Sequence, residues 1–218
     1  MLNHQRIVCN FAYMVFTLPE ELIFPDPALA DPDGLLAIGG DLSVERLLLA
    51  YQNGIFPWFS EGDPICWYAP KERCVIFPGK VKISKSMAKI IREDVFEITQ
   101  DQAFEQVIRN CAAVKRKDQP GTWITDEMQE AYINLYKHGY AHSVEVWQDG
   151  ALVGGLYGIE VKDIFCGESM FSLVSNASKA ALIWLCKMYQ YRLIDCQLPN
   201  DHLLSLGAEM IDPKDLFL

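Results

Sequence analysis

The chain is 218 residues long and half of them are hydrophobic, so it can bury a substantial core as one domain or as a small domain joined to a larger one. Its 29 acidic residues outnumber its 19 Lys and Arg, and the resulting net charge of −10 disfavours a polyanionic partner unless cations gather locally. Apolar runs such as Leu47–Ala50 and Ala181–Cys186 fall far short of the roughly 20 residues that span a bilayer, and residues 1–14 hold no signal-peptide core, so a cytoplasmic protein is expected.

Gly39-Gly40-Asp41-Leu42-Ser43 predicts a turn into a short helix capped by Asp41 or Ser43, with Leu47, Leu48 and Tyr51 at helical spacing and Gly54 ending it. After a stretch rich in Pro, Gly and Trp, the character of the sequence changes near residues 70–80. A small N-terminal domain, residues 1–75, and a larger domain, residues 76–218, are expected on either side. Between Lys80 and Arg92 the pattern is amphipathic, with Lys82, Lys85, Lys89 and Arg92 on one face and Ile83, Met87 and Ile90 on another. No acidic residue interrupts residues 79–92. Packing helices are expected over about 102–113 and from Thr125, whose hydroxyl can cap a first turn containing Asp126 and Glu127.

From His142 the alternation has period two: a strand through Trp147, a turn at Gln148-Asp149-Gly150, a strand to Gly158, and another from Asp163 to Ser169. A helix from about Ser178 to Tyr191 follows, then a short strand Leu193–Gln197 and a helix Asp201–Leu206 ended by Gly207. His142, at the start of its strand, has no matched nucleophile and is expected to be structural. The seven cysteines are scattered without a CxxC pair, as reduced core thiols are, so neither zinc nor a disulfide framework is indicated.

The order βββαβα resembles the core of the GCN5-related N-acetyltransferase superfamily, and Asn200 through Leu206-Gly-Ala-Glu209 is similar to that superfamily's last-helix signature. The expected class is therefore α+β, a small N-terminal domain followed by an acetyltransferase-like mixed sheet with flanking helices. Acetyltransferases of this kind cradle the coenzyme A pyrophosphate on a Gly-rich turn before the central helix, where backbone amides approach the phosphates. Here the corresponding segment, Met170–Asn176, contains no Gly, which disfavours an acetyl-CoA enzyme.

Three blocks narrow the family: Gly34-Leu-Leu-Ala-Ile-Gly-Gly-Asp-Leu-Ser43, Gly54-Ile-Phe-Pro-Trp58, and Phe165-Cys-Gly-Glu-Ser-Met-Phe171 with Leu193-Ile-Asp-Cys-Gln197. In that order they resemble the leucyl/phenylalanyl-tRNA–protein transferases. The likeness extends from about Phe24 to Pro213 and includes Gly121-Thr-Trp-Ile-Thr125, Ala141-His-Ser-Val-Glu-Val-Trp147 and Asn176-Ala-Ser-Lys179. The resemblance implies an enzyme without metal or coenzyme that takes Leu or Phe, with Met a third candidate, from aminoacyl-tRNA. It further implies acceptor proteins that begin with Arg or Lys and are thereby marked for N-end-dependent degradation.

The chemistry required is attack of an α-amine on an activated ester carbonyl, with the tRNA ribose hydroxyl departing. No protein nucleophile is necessary, so positioning and a weak base suffice. Asp195 interrupts the apolar strand Leu193-Ile194-Asp195 and must be paired or functional, and strand spacing would project Gln197 from the same face. By resemblance, Asp195 helps take the amine proton, Gln197 orients the amine, and Glu168 attracts the cationic acceptor or steadies the amine of the transferred residue. A stripe of the central helix, Leu182, Leu185 and Tyr189, with Leu156 and Ile194, is expected to line an apolar pocket, although such a stripe is ordinary core in most helices. Leu156 and Tyr189 depart from the Met and Phe of many relatives. Trp58 and Trp123 offer π faces to the unpaired 3′ adenine. Lys82, Lys85, Lys89 and Arg92, with Lys115-Arg116-Lys117 as a second candidate, offer phosphate contacts. The rival functions are an acyl-CoA N-acyltransferase, weakened by the Gly-free turn, and a non-catalytic RNA-binding module, which gains nothing from buried carboxylates.

Overall fold

A computed structural model describes residues 15–114 and 122–217; the basic run at 115–117 lies outside them. The first part of the chain builds a four-stranded sheet from β1 (Phe16–Leu18), β2 (Leu35–Gly39), β3 (Phe56–Pro57) and β4 (Cys66–Tyr68), in the order β1-β2-β4-β3. Gly39 and Gly40 both have positive φ, so the chain turns out of β2 without a Cβ clash and enters α1 (Val44–Gln52). Ser43 caps that helix by accepting from the Arg46 N–H, while Asp41 accepts from the Ser43 N–H instead. Trp67 on β4 is fully buried, with its indole N–H donated to the Gly39 carbonyl at 2.8 Å, so the polar tip of the largest side chain is satisfied.

Among the described residues the second sheet has seven strands: β5 (Arg73–Ile76), β6 (Glu97–Gln100), β7 (Ala141–Gln148), β8 (Ala151–Val161), β9 (Ile164–Ser172), β10 (Leu193–Asp195) and β11 (Glu209–Ile211). Their order is β11-β5-β10-β9-β8-β7-β6, antiparallel throughout except for the parallel pair β10 and β9. The helices are α2 (Lys85–Arg92), α3 (Phe104–Ala113), α4 (Asp126–Lys137), α5 (Ala177–Met188) and α6 (Asp201–Ser205). From β7 the order is the expected βββαβα of an acetyltransferase-like α+β core.

Two buried clusters account for the layering. One runs from Leu36, Leu47 and Trp67 of the small-sheet region through Tyr51 to Val107, Met128, Tyr132 and Tyr157, so α1, α3 and α4 share a continuous core with one face of the large sheet. The other unites Val144, Leu156 and Phe165 with Leu182, Ile183 and Leu185 of α5 on the opposite face. Gly154 permits that second contact, because a Cβ there would meet the Ala177 Cβ at 2.5 Å. Buried Glu145 satisfies the start of α3 from a distance, accepting from Thr99 Oγ1 at 2.6 Å and from the Ala103 N–H at 3.3 Å. Among the described residues no helix is long and apolar enough to cross a membrane.

One helix expectation needs correction. Lys82 precedes α2, whose N-cap is Ser84, so it does not share a helical face with Lys85, Lys89 and Arg92. The Lys82 N–H is instead donated to the Leu206 carbonyl at 2.9 Å, because this segment is extended beside the end of α6.

Candidate active site

Strands β9 and β10 are paired only from Leu193↔Ile164 to Asp195↔Cys166, after which β9 continues to Ser172 while β10 stops. Gln197 has φ +56, a left-handed conformation that ends the strand and turns the chain away. Two parallel strands that part at their carboxyl ends leave a crevice, the usual location for a ligand in such sheets. A cavity of about 710 Å³ opens there. Its apolar lining includes Leu156, Phe165, Leu182 and Ile194; its polar lining includes Glu168, Gln197, Asn200, Asp201 and His202. A smaller hollow of about 240 Å³ between α2, β6 and α5 is lined by Ile90, Phe96, Ile183 and Trp184, and its charged groups, Asp94 and Lys187, are exposed.

Glu168 is held at both oxygens. Tyr132 donates its hydroxyl to Oε2 at 2.9 Å, and the Gln197 amide donates to Oε1 at 3.0 Å. Behind Tyr132, the hydroxyls of Tyr51 and Tyr132 are 2.5 Å apart. Burial pushes the Glu168 carboxyl up to about 7; the hydroxyls of Tyr51 and Tyr132 and the charge of Arg73 hold it down, while the Asp195 charge raises it further. A group balanced in that way changes protonation near neutrality, which suits a proton acceptor.

Asp195 is engaged differently from the pairing expected of it. Its carboxylate faces the guanidinium of Arg73, which reaches it by Nε at 2.9 Å and by Nη2 at 2.8 Å, both side chains being about 1% exposed. Asp195 Oδ1 also accepts the backbone N–H of Gln197 at 3.0 Å. The Gln197 side chain goes to Glu168 rather than to Asp195, because the positive φ at Gln197 breaks the strand alternation assumed in placing both on one face. Arg73 is fixed further by Nη1 donating to the Gly54 carbonyl at 2.8 Å and by the Phe56 ring, 4.9 Å from its central carbon. Burial opposes the Arg73 charge, but Asp195 outweighs it and keeps the guanidinium protonated. Asp195 is not among the residues lining the cavity.

Of the expected apolar pocket, Leu156, Leu182 and Ile194 line the cavity, whereas Leu185 and Tyr189 do not. Leu185 is buried in the core beneath α5. The helix ends at Met188, so Tyr189 leaves the stripe and stacks on Tyr191 with ring centres 5.3 Å apart. Trp58 is 37% exposed and leans against Tyr68, and Trp123 is half-buried against the main core; both lie outside the cavity lining. Lys85, Lys89 and Arg92 are exposed along α2, with Glu93 4.0 Å from both Lys89 and Arg92. His142 pairs with Asp101 at 2.8 Å, and that hydrogen bond raises its pKa; it does not line the cavity.

By sequence pattern alone Tyr51 and the helix carrying Tyr132 are packing elements, and their hydroxyls carry no local signal of the contact with Glu168. Arg73 carried a usable signal: it opens the apolar run Cys74-Val75-Ile76-Phe77, as Asp195 closes Leu193-Ile194, and opposite charges at the ends of two apolar strands are natural partners.

Residues 75–217 match the family model described as leucyl/phenylalanyl-tRNA protein transferase, and residues 40–71 match the model for the N-terminal domain of the same family. A leucyl/phenylalanyl-tRNA–protein transferase of Flavobacterium psychrophilum is 55% identical over 204 residues, covering 92% of this chain and 96% of that one. Among solved structures, a conserved protein of unknown function from Bacteroides thetaiotaomicron is similar at 13% identity and a TM-score of 0.48, covering 64% of this chain and 58% of that one. A GCN5-related N-acetyltransferase from Kribbella flavida is similar at 10% identity and a TM-score of 0.38, covering 74% and 58%.

Proposed function

Because the chain belongs to the leucyl/phenylalanyl-tRNA–protein transferase family and is therefore an aminoacyltransferase, we propose that the β9/β10 cavity transfers Leu or Phe, with Met a third candidate, from tRNA to the N-terminal amine of cytoplasmic proteins beginning with Arg or Lys. The new N-terminal residue marks those proteins for degradation. The observation that carries this reading is the junction of an apolar wall, Leu156, Leu182 and Ile194, with the hydrogen-bonded pair Glu168 and Gln197 in one cavity. The wall takes the transferred side chain, and the pair meets the amine.

The acceptor amine attacks the ester carbonyl carbon, a C–N bond forms, and the bond from that carbon to the ribose oxygen breaks. Glu168 takes a proton from the nitrogen, and the departing ribose oxygen receives one. A carboxyl at about 7 lies within roughly one unit of a terminal amine, so proton transfer is nearly balanced; an ordinary Glu would be a far weaker base for that amine. Gln197 orients Glu168 and the amine, while Asp195 works at one remove by holding Arg73 and the Gln197 backbone. Glu168 also supplies negative charge for a cationic acceptor.

The 3′ adenine stacks on Trp58 or Trp123, each worth about 1–3 kcal/mol by the usual scale of base–aromatic contacts. Lys85, Lys89 and Arg92, with Lys82 beside them in the chain, meet acceptor-stem phosphates. Replacing Lys85 and Lys89 by Gln is expected to weaken binding of Leu-tRNA and Phe-tRNA equally and to flatten the salt dependence by about one per lost phosphate contact. Filter binding across a salt series checks this, and unchanged slopes would remove α2 from the tRNA interface.

The decisive assay gives the purified protein labelled Leu-tRNA and a peptide beginning with Arg, beside the same peptide beginning with Asp. Label on the Arg peptide alone is expected. Transfer from acetyl-CoA instead would favour the acyl-CoA enzyme, and tRNA binding with no label on either peptide would leave the binding module.

A further inference from the structure

Antiparallel strands set residues directly opposite one another with Cα atoms about 4.5–5.5 Å apart, inside the roughly 4.4–6.8 Å that a disulfide spans. β5 and β10 pair at Ile76↔Ile194 and Val75↔Asp195. One step further, the Cys196 N–H is donated to the Cys74 carbonyl at 2.8 Å, and the Cys74 N–H is donated to the Gln197 carbonyl at 3.1 Å. Cys74 therefore stands opposite Cys196. Ile76, Ile194 and Cys196 belong to the core under α5, so alternation along β5 puts Cys74 on that same face. Cys166, the other thiol beside Asp195, belongs to the core on the opposite face, and Cys186 comes near Cys196 from α5.

The two facing thiols differ in access. Cys74 is 0% exposed, whereas Cys196 is half-buried and lines the β9/β10 cavity, where a molecule as small as a peroxide can reach its sulfur. That sulfur lies 3.8 Å from the Ile194 carbonyl, a weak contact that costs little to break. Cys196 also stands between Asp195, which holds Arg73, and Gln197, whose amide meets Glu168.

We infer that Cys74 and Cys196 form an oxidation site: a peroxide joins them in a disulfide that draws in the end of β10 and stops transfer. The loss of transfer rests on the positioning roles proposed for Asp195 and Gln197; the disulfide itself does not. The peroxide gives one oxygen to the Cys196 sulfur, forming a sulfenic acid and one water. The Cys74 sulfur then attacks the Cys196 sulfur, an S–S bond forms, and the S–O bond breaks, with the hydroxide and the Cys74 proton leaving as a second water. Two thiols are oxidised and one peroxide is reduced. Burial, followed by the Asp195 charge, pushes the Cys74 thiol up to about 11, and burial raises Cys196 as well. Neither is a thiolate at neutral pH, so closure answers sustained oxidant rather than a brief pulse. Closure brings facing Cβ atoms from about 4.5–5.5 Å to about 3.8 Å, and a shift near 1 Å in a positioning group can cost about 100-fold in rate.

The test incubates the full-length protein with hydrogen peroxide. One portion is alkylated for intact mass and peptide mapping, and another is assayed for transfer of labelled Leu from tRNA to an Arg-initiated peptide. Expected are the loss of two hydrogens, a peptide linked through Cys74 and Cys196, and a fall in transfer of at least about tenfold that dithiothreitol restores. Cys74→Ala, away from the cavity lining, should keep the transfer of the reduced parent and lose the inhibition that dithiothreitol reverses. Cys186→Ala should close as the parent does. A peptide map of the oxidised parent without the Cys74–Cys196 link, or with Cys196 joined to Cys186, overturns the inference whether or not either variant folds. A linked protein that transfers at the parent's rate also overturns it, and with it the claim that the end of β10 positions the reacting groups. Transfer by the reduced parent is the control for the proposed function: its absence would strike that function, while the peptide map still decides the disulfide.

Discussion

Asp195→Ala is expected to lower stability by about 3–5 kcal/mol, the usual cost of stranding one partner of a buried ion pair. Arg73 would remain about 1% exposed, with its Nε and Nη2 donors unmatched and no route for the side chain to water. The same change frees the Gln197 backbone N–H from Asp195 Oδ1, loosening the turn that aims the Gln197 amide at Glu168. Transfer per folded molecule should therefore fall while tRNA affinity, proposed to come from α2 and the two tryptophans, stays close to that of the parent. Urea denaturation separates the two effects. The double variant Asp195→Ala, Arg73→Met should recover much of the lost stability, because the uncompensated charge is removed, without recovering transfer. A single variant as stable as the parent would mean that the guanidinium finds another partner and that the pair does not anchor the site.

The parts of this arrangement that were legible in the sequence are those specified within a few residues. Alternation from His142 to Ser169 predicts the meander of β7, β8 and β9, Ser43 is one of the two expected caps of α1, and the Thr125 hydroxyl marks the start of α4. The strands of the small sheet are two to five residues long and broken by Gly and Pro, too short for a period to emerge, and they were missed. Asp195 was recognised as a carboxylate that needed a reason. The Gln197 side chain does not share its face, because the left-handed turn at Gln197 cannot be read from a residue type that seldom adopts it. The contacts that join the site together span 122 residues for Arg73 and Asp195, 81 for Tyr51 and Tyr132, and 36 for Tyr132 and Glu168. No local pattern encodes such pairs; they follow from how the helices carrying the tyrosines share one core with the large sheet.

Glu168→Gln should move activity and stability in opposite directions. Removing a general base costs roughly 100- to 10,000-fold in rate, and the amide is close in size, so substrate binding should change little. In the parent, transfer is expected to rise as pH passes through about 7, where Glu168 would lose its proton; in the variant only the titration of the acceptor amine would remain, so the acid limb should shift to that of the amine. The stability argument has the reverse sign. The folded carboxyl is raised from 4.5 to about 7, so the stabilising contribution of its protonated form is complete below pH 4.5 and is lost as pH rises through 7. Above that range the part-buried carboxylate costs at most on the order of 3 kcal/mol, and a neutral Gln, able to accept from Tyr132 and to pair with a reoriented Gln197 amide, avoids it. The variant is therefore expected to melt higher than the parent at alkaline pH and equally at pH 4, measured by thermal denaturation across a pH series. Equal melting at both ends would mean that Glu168 is not held above its ordinary range. A variant that keeps full transfer activity would leave the amine to lose its proton without Glu168.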